Sequence, residues 1–228
     1  MRTSRLVAPG FPHLILQYGN YGHRIFEDAC DHERYLEWLA EYGRRFDVDI
    51  WAYCLMPNHV HHVCVPRTET GLARTFNALH MRYAQYINVK LSLRGHLWQG
   101  RFYSSILDDR HVLEAVRLVD TNPVRWRLVD EAPAYPWSSA RSHVTDAADP
   151  VLRTAFPVGV RVDDWAAYLR GPGDPVALEA LRKNIRTGRP CGDREFILTL
   201  ERLLNRNLTV RPRGRPRKPD LRSIAETS

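Results

Sequence analysis

The chain has 228 residues, few cysteines and no long apolar run. Its cysteines, Cys30, Cys54, Cys64 and Cys191, are scattered, and none forms a Cys-x-x-Cys pair. That argues against a disulfide framework and for free thiols in a reducing compartment. No stretch approaches the ~18 apolar residues of a membrane span. Met1 to Pro12 lacks the apolar region of a signal peptide. No internal repeat is present. These absences set the expectation of an intracellular, cytoplasmic protein without a membrane partner.

What is abundant is positive charge. Lys and Arg number 33 against 26 Asp and Glu, a formal net charge of +7. Such an excess favours a polyanionic partner, nucleic acid before membrane. Arg206, Arg211, Arg213, Arg215, Arg217 and Lys218 crowd into one C-terminal segment.

Periodicity outlines the elements. His13 to Tyr18 reads as a strand closed by Gly19-Asn20-Tyr21-Gly22. Asp31 can cap a helix from His32 to Phe46, with Tyr35, Leu36, Leu39, Tyr42 and Phe46 as its apolar stripe. Val48 to Met56 and Val60 to Val65 read as a hairpin turned by Pro57-Asn58. Thr70 to Leu91 is helical, and Gly95 to Gly100 breaks it. Arg101 to Leu107 reads as a fourth strand, and Asp108-Asp109 opens a helix running to Thr121. Pro123 limits that helix. The order β-α-β-β-α-β, then a helix, predicts an α+β, ferredoxin-like antiparallel sheet with helices on one face. We expect a first domain over 1–150, a linker region over 151–175 marked by Gly171-Pro172-Gly173-Asp174-Pro175, and a small helical, basic extension over 176–228. Val176 to Ile185 and Arg194 to Leu204 read as amphipathic helices of that extension.

Chemistry concentrates in Met56-Pro57-Asn58-His59-Val60-His61-His62-Val63. Side chains alternate along a strand, so His59 and His61 share a face and His62 takes the other. Paired imidazoles on one face suit a divalent metal. A bare His-x-His by itself reads first as a half-buried strand that holds polar residues.

Four motifs in order narrow that choice. They are Pro57-Asn58-His59-Val60-His61, Gly95-His96-Leu97-Trp98-Gln99-Gly100-Arg101-Phe102, Asn122-Pro123-Val124-Arg125 and Tyr135-Pro136-Trp137-Ser138-Ser139-Ala140. Together they resemble the REP-associated tyrosine transposases, single-tyrosine members of the HUH endonuclease class and IS200-like transposases. The resemblance covers roughly Pro12 to Val144. It implies a ferredoxin-like fold, action on single-stranded DNA hairpins, Mg²⁺ or Mn²⁺ as cofactor, and often a homodimer. It further implies His59 and His61 as metal ligands, with Asn122 as the third. Asn122 also suits a plain helix cap before proline.

The resemblance places the nucleophilic tyrosine four residues before Asn122. That position holds Leu118. Leucine has no oxygen to attack phosphorus, so no phosphotyrosine can form there. Tyr103 is the best substitute, while Tyr83 and Tyr86 read as packing aromatics. Any substitute must reach the phosphate in line.

For DNA contacts, Trp98, Gln99 and Arg101 combine ring, amide and guanidinium after a glycine break. Trp98 and Phe102 also suit a buried closure of the core. Arg125 and Arg127 can meet phosphates. The tail from Arg211 to Lys218 resembles an AT-hook, in which Arg213 and Arg215 would enter the minor groove of A·T-rich duplex. A generic basic tail is the alternative. The leading expectation is a DNA-binding transposase homologue with metal-dependent strand transfer if active. A catalytically inactive, domesticated DNA-binding protein is its rival, and an RNA-binding module is more distant.

Overall fold

The structure, a computed structural model, describes residues 5–153 and 162–209. Its centre is an antiparallel sheet of β1 (His13–Tyr18), β2 (Val48–Met56), β3 (His59–Pro66) and β4 (Tyr103–Ile106), in the order β2-β3-β1-β4. The sheet connects through α1 (Ala29–Arg45) and α2 (Gly71–Lys90), giving the βαββαβ order that the sequence predicts. The register sets Tyr18 opposite His59 and Leu16 opposite His61.

Both helices of the βαββαβ unit lie on one face. Asp28, rather than Asp31, caps α1. Its carboxylate accepts from Asp31 N, and the Asp31 carboxylate accepts from Asp28 N in return, a closed capping box. The sequence offers two acids three residues apart, and only the earlier has the extended backbone of a cap. Asp31 is buried, and Lys90 Nζ donates to it at 2.6 Å, locking the start of α1 to the end of α2. Tyr35 and Leu39 of α1 and Phe76, Leu79 and Tyr83 of α2 close over Ile15, Ile50, Val60 and Cys64 of the sheet. Each large side chain buried this way contributes about 1.5–3 kcal/mol.

The opposite face carries α3 (Asp109–Asp120), followed by the short α4 (Asn122–Arg125). Asp108 caps α3 by accepting from His111 N at 2.8 Å. Val112, Ala115, Val116 and Val119 pack on Leu14, Leu16, Cys54, Met56, Val63 and Val65. Downstream come α5 (Ala140–Thr145), α6 (Trp165–Arg170), α7 (Pro175–Thr187) and α8 (Arg194–Leu204). Leu181 and Ile185 of α7 join the same core. Segments of the chain cover both sheet edges. Leu55 N donates to Trp137 O on the β2 side, and Cys191 N donates to Ile106 O beside β4. Covered edges have no free ladder to recruit another strand.

Candidate functional site

The end of α3 is anchored before the site begins. Asp120 is fully buried; Ser139 Oγ and His143 Nδ1 each donate to it at 2.6 Å. His143 Nε2 lies 3.0 Å from Trp51 O. Both ring nitrogens face acceptors, so both must donate and the ring is an imidazolium. Burial pulls its pKa down, but the Asp120 charge and hydrogen bond outweigh this and raise it. This lock fixes where the chain turns from α3 into α4, and hence where Asn122 points.

Asn122 meets His59 across the sheet face. Its Nδ2 lies 3.1 Å from His59 Nε2. His59 Nδ1 faces Asn58 Oδ1 at 2.7 Å, so the proton sits on Nδ1 and the lone pair on Nε2. The His59 and His61 rings stand edge to face, centroids 5.1 Å apart. Burial, with Arg125 nearby, lowers the His59 pKa to about 4. Burial, His59 and Arg125 hold His61 well below its ordinary value. Both imidazoles are neutral at physiological pH and present lone pairs. His61 Nδ1 is buried without a hydrogen-bond partner.

Arg125 closes the site. Its Nη2 donates to Asn122 Oδ1 at 2.9 Å and to Leu118 O at 2.8 Å, and Nη1 donates to Thr121 Oγ1 at 2.9 Å. The residue is exposed, but its guanidinium is drawn in against these acceptors. That desolvation, with Arg182, lowers its pKa to about 10. Leu118, one turn before Asn122, is buried with the α3 core.

A divalent ion fits this set in part. Two neutral imidazoles and an amide oxygen are chemically suitable donors, and the Nδ1–H bond to Asn58 orients His59 as metal-ligating histidines are oriented. Asn122 Oδ1 is held by Arg125, so a cation there would compete with a guanidinium. Among the described residues no group of three His, Cys, Asp or Glu is placed to hold a metal.

Residues 12–119 match the family model described as "Transposase IS200 like". Among solved structures, one described as a REP-associated tyrosine transposase bound to a REP hairpin superposes with a TM-score of 0.51 at 16% identity, covering 71% of this chain and 98% of its own. At that identity the likeness supports the fold alone. A candidate transposase from Deinococcus radiodurans R1 aligns at 14% identity and a TM-score of 0.38, over 50% of this chain and 92% of its own. No curated protein matches the chain.

The fold gathers some of the expected residues and separates others. His59, His61, Asn122 and Arg125 converge, with Leu118 beside them. Tyr103 is exposed and stands behind Tyr18: the Tyr18 ring is 5.5 Å from His59 and 6.5 Å from Tyr103. Trp98 is half-buried, its Nε1 donating to His80 O at 2.8 Å, its ring 4.5 Å from that of His80. It therefore packs against the α1–α2 layer. Gln99 and Arg101 are exposed near β4. Arg213 and Arg215 lie outside the described residues.

Two aromatics at the site were not singled out from the sequence. Trp126 is 59% exposed with its ring 6.0 Å from His59. The interleaved Arg125-Trp126-Arg127 was an available signal. Tyr18 reaches His59 only through the antiparallel register, which no local pattern shows. Among the described residues no helix is long and apolar enough to cross a membrane.

Proposed function

We propose that the chain is a DNA-binding transposase homologue that engages single-stranded hairpin DNA at the His59–His61–Asn122 centre, and that it cleaves DNA poorly or not at all. The observation that carries this is Leu118, one turn before Asn122, beside the converging His59, His61 and Asn122. Bound Mg²⁺ or Mn²⁺ would polarise a scissile phosphate there. His59 and His61 offer it lone pairs, and Asn122 offers its amide oxygen. Arg125 sets a guanidinium against the phosphate, and Trp126 offers an exposed ring to an unpaired base. The hairpin held by the structural neighbour supports the substrate class. Gln99 and Arg101 extend the contact along β4, and the Arg213–Arg215 tail adds A·T-rich duplex. The protein works in the cytoplasm, and a homodimer is consistent with the family.

The test is labelled single-stranded hairpin DNA with Mn²⁺, resolved on a denaturing gel. The unmodified protein should retain the DNA yet form no covalent adduct. Leu118→Tyr should confer metal-dependent nicking, at a stability cost of about 1–3 kcal/mol where the ring overpacks α3. Robust adducts from the unmodified protein, mapped by peptide sequencing to Tyr103 or Tyr18, would show an active enzyme with a displaced nucleophile. Failure to retain hairpin DNA would remove the DNA reading itself.

A further inference from the structure

A cavity of about 520 Å³ opens between the family domain and the C-terminal extension. One wall is the end of β1, Gln17 and Tyr18, with Arg101 and Tyr103 beside it. The other wall is the end of α7 and the turn after it, carrying Arg186 and Arg189. That second wall is fastened to the sheet. Ser105 Oγ donates to Arg189 O at 2.6 Å, and Cys191 N donates to Ile106 O at 2.7 Å. Gly188 has a φ of 71°, the left-handed turn that ends α7 and lets the chain return along β4.

The lining is one-signed. Among the described residues, Arg5, Arg101, Arg186, Arg189 and Arg206 line the cavity, and no carboxylate does. Burial, with Arg101 nearby, lowers the Arg5 pKa to about 10. The floor also holds an unused acceptor. Gln17 is 2% exposed. Its Nε2 donates to Tyr18 O at 3.1 Å and Gly100 O at 3.3 Å. Turning the amide over would set its oxygen against two carbonyls, so its orientation is fixed. Among the described residues its buried Oε1 accepts from no donor, and Arg5 Nη2 likewise finds no acceptor. Buried polar atoms are costly to leave unpaired, and these share one cavity.

We propose that this cleft holds a single strand of DNA, with phosphates on Arg186 and Arg189 and the exocyclic amine of one unstacked base donating to Gln17 Oε1. The proposal rests on the DNA reading above and extends it to the residues past the family domain. The cleft is continuous with the His59 centre: the Tyr18 ring lies 5.5 Å from His59 and also lines the cleft. Tyr18 and the exposed Tyr103 offer ring faces to bases. A base held in a duplex stack cannot bring its amine to an atom this deeply buried, so duplex is disfavoured. Anionic phosphates match arginines without acids, and a hydrogen-bond donor matches the orphan oxygen.

Fluorescence anisotropy on the full chain with labelled single-stranded oligonucleotides tests this. Arg186→Ala with Arg189→Ala removes two exposed side chains and leaves the Arg189 carbonyl bond in place. The pair should weaken single-strand binding and flatten its log–log salt dependence by roughly 1.4, about 0.7 for each phosphate contact. The unmodified protein should prefer oligo(dA) or oligo(dC) over oligo(dT), which has no exocyclic amine, by about five-fold, the weight of one net hydrogen bond. Gln17→Met should abolish that preference. Unchanged affinity and slope in the arginine pair would overturn the cleft and leave the His59 centre standing. Equal affinity of the unmodified protein for all three homopolymers would overturn the role of Gln17. RNA or duplex bound as tightly as single-stranded DNA would overturn the assignment of the ligand. No binding of any single strand would overturn both readings.

Discussion

On one face of β3, His62 sits in an aromatic cage. Its Nε2 lies 3.1 Å from Tyr35 OH, and its ring is 5.1 Å from Phe76. The same hydroxyl meets His80 Nε2 at 3.1 Å, and one phenol proton cannot serve both rings, so the two histidines carry opposite protons at Nε2. On the other face, one residue earlier, His61 stands against His59, in reach of the charge on Arg125. Both rings leave Nδ1 buried and unpartnered. Surroundings separate their roles. An imidazole enclosed by Tyr, Phe and His holds the core, whereas one beside a second imidazole, an amide and a guanidinium can take a ligand.

Exchanging the losses should break that comparison most sharply. His62→Ala empties a fully buried site and strips Tyr35 of a partner, which should cost roughly 3 kcal/mol in urea unfolding. Mn²⁺ binding per folded molecule should be unchanged. The His59→Ala, His61→Ala double variant should show the reverse, with Mn²⁺ heat lost in calorimetry and a smaller loss of stability. Equal Mn²⁺ affinity in the double variant and the unmodified protein would sink the assignment of these faces.

Acid should tell next, because burial depresses histidines on both faces. His13 and His62 are fully buried, and burial lowers their pKa values to about 4 and about 3. His80 and His32 are depressed by burial as well. A depressed histidine stays neutral in the fold while the unfolded chain takes up a proton below about 6.5. Stability is therefore complete above that value and falls as pH drops toward the folded pKa. His13 alone should account for about 3 kcal/mol by pH 4. Its Nδ1 faces Phe11 O and its Nε2 accepts from Ala8 N, so a second proton breaks the latter bond. His143 runs the other way. Its raised pKa adds stability below about 6.5 that fades as pH climbs through the folded value. The depressed group is larger, so the urea midpoint should fall between pH 7 and pH 5, before most carboxylates titrate. A flat midpoint over that window would contradict the buried neutral state of these rings.

Local periodicity made much of this legible. Alternation along β3 placed His59 and His61 together and His62 opposite, and the stripes of Tyr35, Leu39, Phe76 and Tyr83 gave α1 and α2. Boundaries slipped where signals repeat, as with Asp28 and Asp31. The fourth strand, expected over Arg101 to Leu107, spans Tyr103–Ile106 because Arg101 and Phe102 still belong to the preceding loop. Contacts made by distant pairing were not legible. Tyr18 meets His59 through strand register, and Arg189 reaches β4 because Cys191 bonds Ile106. Trp98 looked available for stacking, but the partner that holds its indole N–H is a carbonyl eighteen residues away on α2.

Arg125 offers the finest test of the ligand face. Its guanidinium holds Asn122 Oδ1, the oxygen that a metal at His59 and His61 would need, and adds positive charge beside both rings. Arg125→Met keeps an unbranched apolar stem but removes the charge and frees that oxygen. Mn²⁺ affinity should then rise by about ten-fold, roughly the 1.4 kcal/mol of one charge-assisted hydrogen bond. Affinity for single-stranded DNA should fall in the same variant, because a phosphate contact is lost. The helix end should survive, since Asp120, Ser139 and His143 anchor it independently of Arg125. A thermal melt would confirm that. If Mn²⁺ affinity stays level or drops while the fold holds, then Arg125 does not compete with the metal, and Asn122 is not its ligand.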